Sequence, residues 1–358
     1  LKDAISFGAD YIDIEVDTDK GFLEELLRNK GKSKIILSYH NFCETPSLSI
    51  LKRIYQEIKT LNPDLIKIVT FANSINDNFK IFELLNKKND LISFCMGEKG
   101  QISRILAPKY GSVLTYASLN KESAPGQINI HEMQNTYNIE LINPLTNIVG
   151  VIGEFAENSK SKYMHNSNFK IRKLNYIYLP FKVSKNELSK FMKNFRKFGF
   201  RGAAVTIPHK EEIVKYIDKL DKTAKKIKAV NTLVNIYPAI RGYNTDYCGA
   251  VEALKEKVVL KGTKVLVIGS GGAARALIYG LKKENAIITI VNRTLERAKH
   301  LAREFKVNYD EISNIEKLIK KKDIIINTSC VGMNPHAYES IIKREELCEG
   351  KIVMDIVY

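Results

Sequence analysis

Residues 264–281 read KVLVIGSGGAARALIYGL, and the architecture of the chain is decided there. KVLVI is a near-continuous apolar run, the pattern of a parallel strand covered on both faces. The next residues end it: Gly269, Gly271 and Gly272 permit a tight turn and leave the backbone uncovered. AARALIYGL then spaces its apolar residues for a helix. Strand, glycine turn and helix in that order aim bare N–H groups and the positive end of a helix dipole at one point. The pyrophosphate of a dinucleotide suits such a point, with Gly269, Gly271, Gly272 and Ala273 as its contacts.

The strand after this helix, IITIVNRT (287–294), ends where a ribose-reading residue belongs. An acidic residue there would bond the 2′-hydroxyl of NAD. Asn292, Arg293 and Thr294 stand there instead, with Arg297 close behind, and an arginine pair suits the 2′-phosphate of NADP. Upstream, strand-like runs alternate with helix-period segments: YIDIEV (11–16), KIILSYH (34–40), LIKIVTF (65–71), LISFCMG (91–97) and SVLTYAS (112–118), then IVGVIG (148–153), NYIYLPF (175–181) and GAAVTIP (202–208). This is the pattern of parallel α/β folds. INPLTN (142–147) carries turn chemistry and no helical period, and KEKVVLKGTK (255–264) reads as a basic hinge strand. The breaks divide the chain into residues 1–145, 146–257 and 258–358.

A length of 358 residues exceeds what one core usually serves. No apolar run approaches the ~20 residues of a membrane span. Cys43, Cys95, Cys248, Cys330 and Cys348 are scattered and form no C-x-x-C pair, which argues against a disulfide framework or a zinc site and fits a reducing cytosol. The net charge of +16 comes largely from lysines spread along helical faces, as in KTAKKIKA (222–229) and LIKKKD (318–323). It reads as a solvated surface whose field gathers small anionic substrates, not as a nucleic-acid or membrane surface.

The polar residues that interrupt the early strands carry the first chemistry. His40 ends one strand, Lys67 lies inside the next, and Arg104 follows the LISFCMG strand. A charged side chain inside an apolar strand is costly unless it faces a polar cavity. A lone strand-end His is usually a hydrogen-bonded structural residue, and a lone strand Lys can snorkel to the rim. The two together, one strand apart, are more specific. A lysine kept from water gives up its proton more readily and can attack a ketone, and a nearby His can move protons near neutral pH. In parallel barrels the C-terminal strand ends carry such groups.

The runs SYHNF (38–42), TPS (45–47), LIKI (65–68), MGEKGQISRILAPKYGS (96–112) and SAPGQ (123–127) resemble type I 3-dehydroquinate dehydratase over residues 1 to about 135. The resemblance implies that Lys67 forms a Schiff base with the substrate ketone and that His40 transfers protons. Arg104 would pair with the substrate carboxylate, Ser123 and Gln127 would bond ring substituents, and Met96 would pack against the imine. Asp13 and Glu15 would belong to the polar network. That family closes an eight-stranded barrel, and only about five strands are legible here. The first three, with an acidic residue that orients the His, are expected to be missing. Without them Lys67 is expected to open to water, and the chain as it stands is expected not to dehydrate 3-dehydroquinate. The start at Leu1 and the stop at Tyr358 fit a sequence truncated at both ends.

VTIPHKE (205–211), AVNT (229–232) and GYNTD (242–246) resemble shikimate dehydrogenase, over roughly residues 148–358. The resemblance implies that Lys210 and Asp246 are the acid–base pair, although a Lys–Asp pair alone is usually a surface salt bridge. Ser159, Ser161, Thr206 and Asn231 would bind substrate. NTSCVGM (327–333), with Thr328 and Met333, would line the nicotinamide side of the cofactor cleft. Two departures stand out. The family's H-S-x-S-P reads Asn158-Ser159-Lys160-Ser161-Lys162, and its I-G-A-V-N-T reads Ile227-Lys228-Ala229-Val230-Asn231-Thr232. The closing helix that supplies a glutamine to the substrate also lies beyond the sequence.

The expected fold class is α/β: an incomplete (β/α)8 TIM barrel, then an α/β substrate domain and a Rossmann NADP domain. The implied function is two consecutive steps of aromatic biosynthesis, from 3-dehydroquinate through 3-dehydroshikimate to shikimate. A dehydrogenase with a degenerate barrel is the second reading, and His40, Lys67 and Arg104 speak against it. An NADP-binding regulatory or nucleic-acid-associated protein is the third. Such a protein would need the glycine turn but not Lys210 and Asp246.

Overall fold

The structure, a computed structural model, describes residues 1–333, 337–347 and 349–356. Cys348 and Tyr358 lie outside the described residues. The chain forms two compact units, residues 1–203 and 204–358.

The first unit opens with four parallel strands in sequential order: β1 (Tyr11–Glu15), β2 (Lys34–His40), β3 (Leu65–Phe71) and β4 (Leu91–Met96). Crossover helices α1 (Lys20–Arg28), α2 (Leu48–Lys59) and α3 (Asp77–Leu85) join them. Asp19 caps α1 by accepting from Phe22 N, and Ser47 caps α2 through Ile50 N. Side chains alternate across a strand. Ile12, Ile14, Ile35, Leu37, Ile66 and Ile68 therefore face the helices, where Leu23, Leu26, Leu51, Ile58 and Leu84 bury them. The opposite face receives Asp13, Glu15, Ser38, His40 and Lys67, brought side by side by the pairings Glu15↔Ser38 and Ser38↔Lys67.

Residues 112–118 correct the expected fifth strand. Toward β4 their backbone makes one bond, from Val113 N to Leu91 O (3.1 Å), and further on a single bridge joins Ser118 to Asn129. Ser112 is the cause. Its Oγ accepts from Ser93 N (3.1 Å) and donates to Leu114 O (2.8 Å), so a side chain takes the place of a ladder bond on β4.

The unit continues with the parallel pair β5 (Asn147–Gly153) and β6 (Tyr176–Lys182), bearing α4 (Ser161–Ile171) and α5 (Leu188–Lys197). Phe79 of α3 packs against Phe191, Phe198 and Phe200, so the early strands and β5–β6 share one aromatic core. Glu187, just before α5, accepts from Ser184 N and Ile75 N and pairs with Lys99 at 3.0 Å.

The boundary between units falls within β7 (Gly202–Val205). In the second unit β8 (Lys219–Leu220) pairs parallel with β10 (Ala239–Tyr243), which pairs antiparallel with β9 (Thr232–Ile236). Helix α6 (Lys222–Ile227) follows β8. A parallel sheet follows, ordered β13 (Asn308–Glu311), β12 (Ile287–Asn292), β11 (Lys264–Ile268), β14 (Ile324–Asn327), β15 (Ile352–Asp355). Helices α7 (Gly272–Lys283) and α8 (Leu295–Phe305) cover it over a core that includes Val265, Val267, Leu277 and Leu301.

The segment 255–264 is not the expected hinge strand. Thr263 Oγ1 donates back to Val259 O (2.6 Å) and Gly262 turns at φ +77°, so regular pairing starts only at Lys264. Among the described residues no helix is long and apolar enough to cross a membrane.

Candidate functional sites

On the open face of β1–β4, Lys67 Nζ lies 2.6 Å from Asp13 Oδ2, and Ser38 Oγ donates to the other carboxylate oxygen. His40 Nδ1 lies 2.5 Å from Glu15 Oε1. This corrects one expectation: an acid that orients the His is present, on the strand next to it. A carboxylate at Nδ1 leaves Nε2 to exchange protons. Lys67 is also not open to water. It is 9 % exposed, and the Tyr116 ring centroid stands 5.0 Å from its Nζ.

Tyr116 in turn packs on Phe94, and Arg104 Cζ lies 4.4 Å from the Phe94 centroid. Arg104 is 1 % exposed, and its Nε and Nη2 have no hydrogen-bond partner among the described residues. Burial pulls its guanidinium down to about 10. A buried donor pair left unmatched is costly, and an acceptor such as a carboxylate would match it. Met96 is buried in the same cluster as Val69 and Phe94, with Ala124 packed against it. Ser123 donates through both N and Oγ to Gln127 Oε1, at 2.8 and 3.1 Å. This loop approaches β4 closely: Pro125 O accepts from Gly97 N, and a Cβ on Gly126 would meet Gly97 O at 2.3 Å.

Also in the first unit, Ser159 Oγ accepts from Ser161 N (3.3 Å) at the start of α4.

In the second unit Lys210 Nζ lies 2.6 Å from Asp246 Oδ2. Asn231 Nδ2 donates to Asp246 Oδ1 (2.7 Å) and to Thr245 Oγ1 (2.8 Å). Asn231 is itself pinned: its N–H donates to Tyr243 O and its carbonyl accepts from Val205 N. Thr206 follows β7, and its carbonyl accepts from His209 N. The glycine turn is packed against this pair. A Cβ on Gly272 would stand 2.7 Å from Lys210 Cβ, whereas a Cβ on Gly271 would meet nothing within 4 Å. Gly269 turns at φ +118°, and a Cβ there would strike Thr328 Oγ1 at 2.4 Å. Ala273 follows in the first turn of α7.

Ser270 is buried with its hydroxyl unpartnered among the described residues. Open space before a helix N-terminus, with an unmatched hydroxyl beside it, fits a pyrophosphate. Arg293 and Thr294 are exposed beyond β12, while Asn292 Nδ2 bonds Thr294 O. Arg297 lies 3.9 Å from Glu211. Thr328 differs from expectation in part: its Oγ1 donates to Ile268 O (2.8 Å), so it ties β14 to β11. Met333 N donates to Cys330 O in the turn beyond.

The sequence reading missed Ser38, Tyr116 and Ser270. Ser38 and Tyr116 share a signal, a polar residue at an inward position of an apolar run. Ser270 lies inside the glycine turn itself.

A five-stranded parallel sheet entered by a glycine turn, with a Lys–Asp pair packed on that turn, defines a dinucleotide-dependent oxidoreductase. Three family models match in order: type I 3-dehydroquinase over residues 1–144, shikimate dehydrogenase substrate binding domain over 151–233, and shikimate / quinate 5-dehydrogenase over 252–356. Shikimate dehydrogenase (NADP(+)) of Methanobrevibacter smithii is 40% identical over 227 residues, 61% of this chain and 80% of that protein. The crystal structure of shikimate 5-dehydrogenase from Thermus thermophilus, in complex with NADP(H) and shikimate, is 30% identical. It superposes with a TM-score of 0.53 over 59% of this chain and 79% of that one. The chain belongs to the shikimate dehydrogenase family. The chloroplastic bifunctional 3-dehydroquinate dehydratase/shikimate dehydrogenase of Arabidopsis thaliana is 35% identical across the whole of this chain, which spans 62% of that protein's length.

Proposed function

We propose that, against the expectation drawn from the strand count, the protein dehydrates 3-dehydroquinate with residues 1–145, because Lys67 is enclosed and His40 has an acidic partner, and that it reduces the resulting 3-dehydroshikimate to shikimate with residues 146–257 and 258–358, using NADPH. The observation that carries this reading is that the chain holds two separate lysine–aspartate pairs, Lys67–Asp13 and Lys210–Asp246, each at 2.6 Å.

In the first site Lys67 passes its proton to Asp13, 2.6 Å away, and the neutral amine adds to the ketone; the carbinolamine then loses its hydroxyl as water and the imine forms. His40, oriented by Glu15, takes the proton beside the imine and returns one to the departing hydroxyl. Arg104 pairs with the substrate carboxylate, Met96 packs against the imine, and Ser123 and Gln127 bond ring hydroxyls. In the second site Lys210 and Asp246 hold and move the proton of the carbonyl oxygen under reduction. Asn231 keeps Asp246 in place and, with Thr206, bonds substrate. We also propose Ser159 and Ser161 as substrate contacts.

NADPH supplies the hydride. Gly269, Gly271, Gly272, Ala273 and Ser270 would hold its pyrophosphate, Asn292, Arg293, Thr294 and Arg297 its 2′-phosphoribose, and Thr328 and Met333 its nicotinamide side. The names of the Methanobrevibacter and Thermus relatives support that cofactor. The four described cysteines are free, which fits the cytosol.

The test uses the whole chain. Borohydride with 3-dehydroshikimate should leave an adduct on the Lys67 peptide, and NADPH should be consumed with 3-dehydroshikimate. An adduct elsewhere or none overturns the imine site; no NADPH consumption overturns the reductase.

A further inference from the structure

One group in the second unit lies outside the site just described yet touches its supports. Arg275, on α7, is only 5 % exposed. Its Nε donates to Ile227 O (2.6 Å), a carbonyl at the end of α6, and its Nη2 lies 2.5 Å from Glu304 Oε1 on α8. Glu304 also pairs with Lys228 at 3.1 Å. Lys228 ends α6 in the left-handed conformation, φ +57°, where a glycine is the least strained residue. Beneath these charges Ile227 and Ala229 are buried against Ala276 of α7.

The joint leads directly to the acid–base pair. Val230 N, two residues beyond Lys228, donates to Lys210 O (2.7 Å). Asn231 follows and donates to Asp246. Helix α7 therefore touches Lys210 twice, directly at Gly272 and, one turn on, through Arg275 and the 227–230 segment. Glu304 balances the charge of the guanidinium. The guanidinium's second bond, to one of the C-terminal carbonyls that an α-helix leaves without an internal partner, fixes α6 to α7.

We propose that Arg275, Glu304 and Lys228 are a clamp of positioning residues that holds Lys210 and Asn231 in register with the glycine turn. The proposal rests on the reductase reading of this site. The clamp explains a lysine at a left-handed position that would otherwise favour glycine: its charge completes the Glu304 pair.

The test compares Glu304→Gln and Lys228→Gly with wild type in the full chain. Glu304→Gln keeps the shape and removes the charge. Exchange of the Val230 amide should quicken roughly tenfold while that of Val267 in β11 stays as it is. The kcat for 3-dehydroshikimate should fall roughly tenfold with KM for NADPH held within about twofold. Lys228→Gly gives the sharper contrast, because a merely structural role predicts equal or higher Tm with unchanged kinetics. The clamp predicts equal or higher Tm with kcat lowered about threefold. If Glu304→Gln does not fold, Lys228→Gly alone carries the test. Wild-type kcat in both variants, or a wild-type Val230 exchange rate in both, overturns the clamp. A wild-type chain without reductase activity overturns the reductase reading instead, and Val230 exchange then decides the clamp.

Discussion

Adding one carbon at Gly272 should slow the reduction without preventing cofactor binding. The new Cβ of Gly272→Ala would stand 2.7 Å from Lys210 Cβ, 3.4 Å from Ala229 Cβ and 3.5 Å from Lys210 Cδ. Carbon atoms rest about 3.5–4.0 Å apart, so the first contact must open by about 1 Å. A Cβ is not the free end of a side chain, and Lys210 is tied at both ends, by Val230 N at its carbonyl and by Asp246 at its Nζ. Overpacking of this kind costs about 1–3 kcal/mol. Alanine regains up to about 1 kcal/mol of helix propensity over glycine, so the net loss of stability is about 0–3 kcal/mol and the fold survives. A misplacement of about 1 Å at a reacting group costs on the order of 10²-fold in rate. Gly271→Ala is the control: its Cβ meets nothing within 4 Å and its φ of −87° suits any residue. It fills the space left for the pyrophosphate, so KM for NADPH should rise while kcat and Tm hold. Steady-state kinetics with NADPH and 3-dehydroshikimate, with thermal melts, separate the two. A Gly272→Ala enzyme with wild-type kcat would refute the idea that the turn sets Lys210.

Lys210→Ala or Asp246→Asn should lower kcat by ~10²–10⁴-fold with NADPH affinity nearly intact, measured by turnover and cofactor titration; near-normal kcat in either makes the pair structural. Arg293→Asp should narrow the preference for NADPH over NADH in kcat/KM, and an unchanged ratio removes Arg293 from the 2′-phosphate site. For Glu187, burial pushes its carboxyl up, but the bonds from Ser184, Ser74 and Lys99 outweigh this and hold it at about 2. Its folded value lies below its ordinary 4.5, so its contribution is fully present above that pH and is lost as pH falls toward 2. Glu187→Gln should flatten acid unfolding between those limits, and an identical pH–stability curve contradicts this.

The strands and the glycine turn were legible because strands buried on both faces leave unbroken apolar runs that glycine interrupts. Lys67 was legible for the converse reason, as a charge where the run demands none. Glu15 was quoted but not matched to His40, because that match depends on the register of β1 against β2, which periodicity does not give. The segment 112–118 has the right composition for a strand, yet the deciding atom is the Ser112 hydroxyl, whose bonds are tertiary. The run 255–264 failed similarly, through the Thr263 hydroxyl and Gly262. Tyr116 sits inside the mistaken strand 112–118. Its role over Lys67 became visible only when the segment was freed to fold back across the sheet.

The two departures from the dehydrogenase pattern have a common physical form. At the loop where the family has a proline, Lys162 pairs with Glu132 at 2.7 Å, with side chains 14 % and 32 % exposed. At the position where the family has a glycine, Lys228 pairs with Glu304. Each loses a backbone restraint, fixed φ in one case and easy left-handed φ in the other, and each gains an ion pair. The two exchanges are not equal. Lys162 is mostly enclosed, so its pair is less screened and can restrain the loop that carries Ser159 and Ser161. Lys228 is largely exposed, and an exposed pair is worth about 0–1 kcal/mol, no more than the roughly 1–2 kcal/mol that a left-handed residue other than glycine costs. Stability alone therefore gives no reason for lysine at 228. Its charge completes the Glu304 pair that holds Arg275, and through Arg275 the segment behind Lys210.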